Sequence, residues 1–473
     1  MNASEQINQA FSIHWIKPAL ITDERSFSYC DLYAHANAIH AWLLIQGCKI
    51  GDTVAMRLPN GWPFAVTYLA CILGGYRLVP VNLELNEDDQ DYILGRVNAR
   101  VVIEDEAVLS GLLPILADAP NFNYPRGMEV AVFFTSGTTG RPKGVCHTLE
   151  ALVGNVVAFN KTQGLNSDTR LYHVLPMAYM AGFLNTLLSP WLAGGTVLLG
   201  PRFRPVEALQ FWKRPLAWGA NTMWLTPTLA TVLVRMNRDP DIAQKLSINI
   251  RHIFCGTAPL SIVVRQNFFD TFGSHLQESY GMSEVLLVAA QTPIEAATQI
   301  NVGQLLPGIH TTLRVTEELS EAELVIHTPY ALTSYLLEDG ESSPLLDDGG
   351  MPSGDVGKIV NDALIITGRL KDLIIRGGLN VSPVAIENIL QQEIGVQEVA
   401  VVGFPHDVWG ESIVACLVVD DKIDVDDLQE KLKLRCAKEL AEGMRPDRYV
   451  WMKDLPHATT GKVQKHVLVN QLS

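Results

Sequence analysis

The run FFTSGTTGRPKGV, Phe133 to Val145, narrows most sharply what this chain can fold into. An apolar pair leads into hydroxyls and glycines, then into a lysine set between proline and glycine. The pattern predicts a strand through Val130 to Phe134 that delivers Thr135, Ser136, Gly137, Thr138, Thr139 and Gly140 into a turn. Glycines in such a turn let the backbone approach an anion, the hydroxyls donate to phosphate oxygens, and Lys143 adds a cation. A Walker A loop needs G-x-x-x-x-G-K-[ST], and Lys143 between Pro142 and Gly144 does not meet it. Just after the loop, Leu149, Leu152, Val153, Val156 and Val157 make one apolar helical face. A polar surface turn would explain any four of these residues but poorly explains the whole string.

Strand-like runs at 195–200, 322–328 and 363–368 alternate with helical patterns, so the chain reads as mixed α/β. Its 473 residues, 48% hydrophobic, can bury a large core and suggest about three domain-sized units. Beyond Gly368 a compact unit of its own is expected. Ser382 is a candidate N-cap before Pro383, with Ile386, Ile389 and Leu390 on one face. Strands at 399–403 and 412–419 follow, then a helix with Leu428, Leu432, Cys436 and Leu440 at a spacing of four, capped by Asp424. That is a small α+β domain.

A formal charge of −15 argues against general affinity for nucleic acid or anionic lipid and directs attention to a small-molecule substrate. The N-terminus has no signal-peptide pattern, and the longest apolar stretch, 64–76, is too short to span a bilayer and fits a buried helix. Seven scattered cysteines without a C-x-x-C pair suggest neither disulfides nor zinc, and fit a reducing, cytoplasmic setting.

The signature T-S-G-T-T-G-x-P-K-G-V is intact from Thr135 to Val145, and here the sequence resembles the adenylate-forming superfamily of acyl-CoA and aryl-CoA synthetases, luciferases and peptide-synthetase adenylation domains. Further segments resemble that family in its own order: CGTAPL (255–260), YGMSE (280–284), NVGQLLPG (301–308), SGDVG (353–357), GRLKDLIIRGGLNVSPVAIE (368–387), VVGFPHDVWGE (401–411) and TTGKVQKHVL (459–468). The resemblance covers nearly the whole chain. It implies a large multi-subdomain α/β N-terminal domain, residues 1–367, that binds ATP and an acid; a hinge at 368–371; and a small mobile α+β lid, residues 372–473.

The resemblance also implies roles. The loop from Thr135 to Gly140, with Lys143, would cover the triphosphate, and Thr139, Lys143, Glu284 and Lys462 form the expected catalytic set. Tyr280 offers a flat face for adenine, with Gly256, Thr257 and Ala258 on the other side and Gly281 and Ser283 beside it. Glu284 is a hard oxygen ligand for Mg2+. Asp355 would accept both ribose hydroxyls and Arg369 would donate to the same sugar or its phosphate. Taken singly, Tyr280 reads as a core tyrosine, and Glu284, Asp355, Arg369 and Lys462 read as surface charges; the motif context reverses this. Lys462, after Thr459, Thr460 and Gly461, resembles the lysine that bridges substrate carboxylate and α-phosphate. Lys371 falls at the hinge, and rotation about it would bring Gly378 to a pantetheine tunnel.

The implied reaction is ATP- and Mg2+-dependent activation of a carboxylic acid to an acyl adenylate, then a thioester, with CoA as the favoured acceptor. Loading of the phosphopantetheine of an acyl carrier protein is the first alternative and a non-catalytic nucleotide-binding homologue the second. The region 175–183, LPMAYMAGF, lacks the carboxylate that amino-acid-activating relatives use, and Gly281 stands where acetate-restricted relatives resemble tryptophan. A longer or aromatic acid is expected, with Tyr179, Met180, Gly182, Trp224, Gly256, Thr257 and Gly281 as pocket wall. Three departures stand out: Ala178 and Tyr179 replace the aromatic-His pair tied to gating, Met351 or Pro352 replaces a common aromatic, and 109–127 looks trimmed or irregular. Monomer and homodimer both remain open.

Overall fold

The computed structural model describes residues 1–135, 141–201, 203–315, 322–338, 340–420, 423–457 and 463–472. Ser136, Gly137, Thr138, Thr139, Gly140, Thr459, Thr460, Gly461 and Lys462 therefore lie outside the described residues.

The opening motif folds as a β-hairpin. Strand Glu129–Thr135 pairs antiparallel with Lys143–Thr148, with Thr135 opposite Lys143 and Phe134 opposite Gly144. A second strand thus stands between the loop and the helix, where the sequence pattern had put the helix directly after the loop. Helix Leu149–Gln163 is capped by Thr148, whose Oγ1 accepts from the Ala151 amide at 3.2 Å. Leu149, Leu152, Val153 and Val156 are buried on it as expected, but Val157 is exposed. Asn155 takes a core position instead, donating through Nδ2 to Leu287 O at 2.7 Å and accepting from Leu287 N at 3.2 Å. An apolar count favours valine over asparagine; a pairing backbone group reverses that preference.

Among the described residues the hairpin lies within a sheet of seven strands, flanked by Tyr335–Leu337 on one side and by Arg77–Pro80 on the other. Helix Trp62–Gly74 is buried along nearly its whole length, as the apolar run 64–76 required, and ends at Gly75 in the left-handed conformation. No helix among the described residues is long and apolar enough to cross a membrane. After the short helix Glu106–Ser110, residues 112–127 contain no regular element, matching the irregular reading. The segment is anchored by Phe122 N donating to Asn8 Oδ1 at 2.8 Å and Tyr124 Oη donating to Glu129 O at 2.6 Å.

Among the described residues a second sheet has thirteen strands and contains a parallel run: Thr196–Leu199, Arg170–His173, Thr222–Leu225, His252–Cys255 and Gln277–Met282 are successive neighbours. Trp224, Gly256 and Tyr280 all lie at the carboxyl ends of its last three strands, where open α/β sheets bind ligands. One hydrophobic core runs from Ala3 to Leu364. Two smaller cores, from Ile374 to Leu440 and from Ala400 to Leu468, belong to a five-stranded sheet and its helices. In that small unit Asp424 caps helix Val425–Glu439, and Leu428, Leu432, Cys436 and Leu440 are buried as the spacing predicts. Ser382 precedes Pro383 at the start of helix Pro383–Leu390 but makes no side-chain cap; its hydroxyl donates to Thr367 O at 2.6 Å, reaching back to strand Ala363–Arg369. The Ser382 hydroxyl is turned toward that carbonyl instead of the amides of the first helical turn.

Candidate active site

Two polar clusters form around the segment 280–284. In the first, Lys143 at the head of its strand reaches Glu284. Its Nζ donates to Glu284 Oε1 at 2.9 Å and to Tyr335 Oη at 2.8 Å, and Tyr335 Oη donates to the same Glu284 oxygen at 2.7 Å. Glu284 is buried, not a surface glutamate. Burial pushes its carboxyl upward, but the Lys143 ammonium and the two hydrogen bonds outweigh that and hold it below the usual carboxylate value. Tyr335 sits on the strand paired with Gly144 and Val145, so one ladder sets its distance from Lys143. Behind it, His147 Nε2 donates to Ser283 O at 2.6 Å, and burial lowers the His147 pKa to about 4.

In the second cluster Asp355 is nearly inaccessible, at 2% exposure. Tyr280 Oη donates to its Oδ2 at 2.6 Å and Arg369 Nε donates to its Oδ1 at 2.7 Å. The three predicted nucleotide residues are therefore assembled, with one addition to the sequence reading: Tyr280 contributes its hydroxyl as well as its ring. The turn carrying Asp355 is fixed from behind. Ser353 Oγ accepts from Asp355 N at 3.0 Å and donates to Leu324 O at 2.7 Å, so serine keeps the hydroxyl's function. Gly354, at φ 69°, donates its amide to Glu323 Oε1 at 2.9 Å, and Arg314 holds the other oxygen of that buried glutamate. Met351 lies opposite Ile326 and Pro352 opposite Val325, both built into the sheet.

The loop after Cys255 carries backbone strain. Thr257 has φ 71°, an uncommon conformation for a β-branched residue, and its buried Oγ1 has no hydrogen-bond partner among the described residues. Thr135 Oγ1 and Trp224 Nε1 are likewise buried without a partner there. A Cβ at Gly256 would meet Ser279 Oγ at 2.5 Å and lie 3.6 Å from Trp224 Nε1, so any larger residue would require Ser279 to shift. Ala258 is half-buried beside this strained pair. The far end of the loop is tied down by Glu278, whose Oε1 accepts from Leu260 N at 3.4 Å and whose Oε2 accepts from Arg265 Nη2 at 2.7 Å. Burial lifts Glu278 to about 7 against the pull of Arg265.

The expected pocket wall is divided. Tyr179 is half-buried and its hydroxyl accepts from Asn82 Nδ2 at 2.8 Å, and Met180 begins the short helix that follows. Trp224 is packed against Phe159 and Phe254, ring centroids 5.4 and 4.8 Å away. Gly182 and Gly281 are close-packing positions: a Cβ would come 1.9 Å from Pro176 O in the first case and 2.3 Å from Leu286 O in the second. Their glycines are needed by the neighbouring backbone. Lys371 is exposed in the turn Leu370–Asp372. Gly378 is exposed between strands Ile374–Arg376 and Leu379–Val381. A Cβ there would meet nothing within 4 Å, so its left-handed φ of 82° is what favours glycine in this arrangement.

Sequence reasoning did not single out Tyr335, Asn82, His147, Glu323 or the Arg265–Glu278 pair. Tyr335 is 192 residues from Lys143 and Asn82 is 97 from Tyr179, so only the fold joins them. Among the described residues no group of three or more His, Cys, Asp or Glu could hold a metal, so there is no protein-only metal cage. One buried carboxylate, Glu284, bonded to Lys143, fits Mg2+ all the same, because that ion takes one or two carboxylates and fills its shell with phosphate oxygens and water.

Comparison with known proteins agrees with this geometry. The AMP-binding enzyme family model matches residues 12–123 and 124–336, and the model of the AMP-binding enzyme C-terminal domain matches 385–462. A long-chain-fatty-acid–CoA ligase of Mycobacterium tuberculosis is 28% identical, over 97% of this chain and 95% of the relative. A feruloyl-CoA synthase of an Amycolatopsis species is 29% identical over 93% of each chain. Among solved structures, ATP-bound MatB from Rhodopseudomonas palustris superposes with a TM-score of 0.86 at 26% identity, covering 100% of this chain and 99% of that one.

Proposed function

This chain belongs to the AMP-binding enzyme family, and from that premise we propose that it is an AMP-forming acid–CoA ligase: it activates a carboxylic acid with ATP as an acyl adenylate and passes the acyl group to the thiol of CoA. The observation that carries the reading is the convergence of Lys143, Glu284 and Tyr335 with Tyr280, Asp355 and Arg369, brought from distant segments to either side of one five-residue stretch. A cation-bearing carboxylate beside the hydroxyl loop suits a triphosphate; a shielded Asp–Arg–Tyr group suits a ribose.

The chemistry follows from charge. A carboxylic acid is already ionised at neutral pH, so its attack on the α-phosphorus needs no base but does need repulsion offset. Lys143 and the hydroxyls from Thr135 onward would hold the departing pyrophosphate. Mg2+ at Glu284 would add the remaining positive charge to the phosphates when bound. Lys462 would bridge the substrate carboxylate and the α-phosphate, and must arrive from the small unit. Rotation about 368–371, with Lys371 at the pivot, would then withdraw Lys462 and bring the Gly378 hairpin toward the thiol path. The division 1–367 and 372–473 is part of this proposal, supported by the change of hydrophobic core between Leu364 and Ile374.

The acid we propose is longer than acetate, alkyl or aromatic; the fatty-acid and feruloyl relatives span both classes. A reducing, cytoplasmic setting fits seven free cysteines. The test is pyrophosphate release with short, medium, long and aromatic acids, each with and without CoA. Multiple turnover only with CoA, for one acid class, is the expected result. A single turnover despite CoA would move the acceptor to a carrier protein, and no acid-dependent release at all would refute the ligase reading.

A further inference from the structure

Glu284 carries a counterion supplied by the chain itself. Lys143 Nζ, Tyr335 Oη and Glu284 Oε1 close a triangle with sides of 2.9, 2.8 and 2.7 Å. The ammonium also lies 4.0 Å from the centroid of the Tyr335 ring. The triangle is set by backbone on two sides. Tyr335 pairs in register with Val145, two residues from Lys143, and Leu332 N donates to Glu284 O at 2.7 Å, three residues before Tyr335.

A buried carboxylate stripped of its partner is strongly unfavourable, so Lys143 is held by the need to neutralise Glu284 as well as by its own contacts. A cation that approaches Glu284 alone meets the charge of this ammonium, and one that takes Oε1 must displace it and leave Lys143 without that anion. A triphosphate changes that balance, because it offers Lys143 a second anionic partner.

Resting on the ligase reading, we infer that Lys143 is a resident counter-charge that closes Glu284 to a bare divalent cation and couples cation binding to nucleotide binding, and that Tyr335 is a positioning residue that keeps the Glu284 carboxylate aimed when Lys143 lets go. The hydroxyl can do this because it donates to Glu284 and accepts from Lys143 at once: losing Lys143 leaves its bond to Glu284 in place.

The test is Mn2+ binding to the full chain without nucleotide, read from the free-Mn2+ electron paramagnetic resonance signal. Lys143→Met keeps the length of the side chain and removes the charge; it should bind Mn2+ at least about tenfold more tightly than wild type, because Glu284 is left uncompensated. Adding Glu284→Gln to that variant should abolish the gain. Adding Tyr335→Phe instead, which keeps the ring, should lower the gained affinity severalfold. Should Lys143→Met fail to fold, Lys143→Gln carries the same expectation. A folded Lys143 variant that binds Mn2+ no more tightly than wild type overturns the counter-charge role, and a gain that survives Glu284→Gln does the same. An undiminished gain with Tyr335→Phe overturns the positioning role. ATP–pyrophosphate exchange by wild type, run separately with the acid panel, reports on the ligase reading alone.

Discussion

Replacing Tyr280 by phenylalanine separates two jobs that one side chain performs. The ring remains available to adenine, and the hydroxyl that donates to Asp355 Oδ2 at 2.6 Å is lost. Asp355 is 2% exposed, so solvent does not readily replace the missing donor, and Arg369 Nε on the other oxygen is left to hold the carboxylate. A hydrogen bond to a charged group contributes about 1.5–3 kcal/mol, which corresponds to roughly ten- to a hundredfold in an equilibrium constant. If Asp355 receives the ribose, KM for ATP in pyrophosphate exchange should rise by about that factor, with KM for the acid little changed. Chemical denaturation gives the accompanying loss of stability, bounded by the same hydrogen bond. An unaltered KM for ATP in a folded variant would refute the claim that the hydroxyl positions Asp355. If Asp355→Asn also left it unaltered, the ribose assignment would fall with it.

Lys462→Ala should abolish adenylation yet still convert supplied acyl-AMP to thioester with CoA; equal loss of both steps in a folded variant would sink its role. His147 and His173 are buried, and burial lowers each to about 4, so folding disfavours their protonation. Their stability contribution is complete above the ordinary value of 6.5 and is lost as pH falls from there toward 4, at about 3 kcal/mol for each; denaturation midpoints between pH 7.5 and 4 should show this, and His147→Gln should flatten the decline. Gly182→Ala drives a Cβ to within 1.9 Å of Pro176 O and should cost at least about 1–3 kcal/mol in the same assay, an insignificant loss arguing that the helix beginning at Met180 can shift. Thr257→Gly relieves a φ of 71° and should raise thermal stability by about 1 kcal/mol while weakening discrimination among acids; unchanged selectivity would show that Thr257 does not face the acid.

The sequence was informative wherever a local pattern sufficed. The helix Trp62–Gly74, the Asp424 cap and the four-residue spacing through Leu440 depend on neighbours within a few turns, and all three formed as read. The motif residues Tyr280, Asp355 and Arg369 do meet, although 75 and 14 residues separate the bonded pairs. What could not be read was partner choice across the fold. Ser382 had the right position for an N-cap, and a carbonyl from another strand took its hydroxyl. Val157 fitted the helical stripe, yet Asn155 went inward because Leu287 presents both a donor and an acceptor to it. Gly182 and Gly281 were read as pocket wall; a neighbouring carbonyl in each case occupies the space a side chain would need.

Some of the places where local rules fail lie at the candidate site. Thr257 and Leu286 both have positive φ; Thr257 lies in the loop after strand His252–Cys255, and Leu286 lies at the antiparallel return of the strand that carries Tyr280. Near Thr257, the Trp224 indole and the Thr257 hydroxyl have no partner among the described residues, at a cost that an apolar substitution of similar shape would avoid. Such strain and unmet bonding persist only where surrounding structure over-determines them. Here the restraint is visible: the Arg265–Glu278 pair anchors the loop through Leu260, and the sheet register fixes Gln277–Met282 between parallel and antiparallel neighbours. A loop held this firmly in an unfavourable conformation, with unpaired donors beside it, is arranged for a ligand that supplies the missing acceptors. That argues for a ligand site over a bare scaffold of the fold, in which nothing would oppose relaxation of Thr257 to glycine.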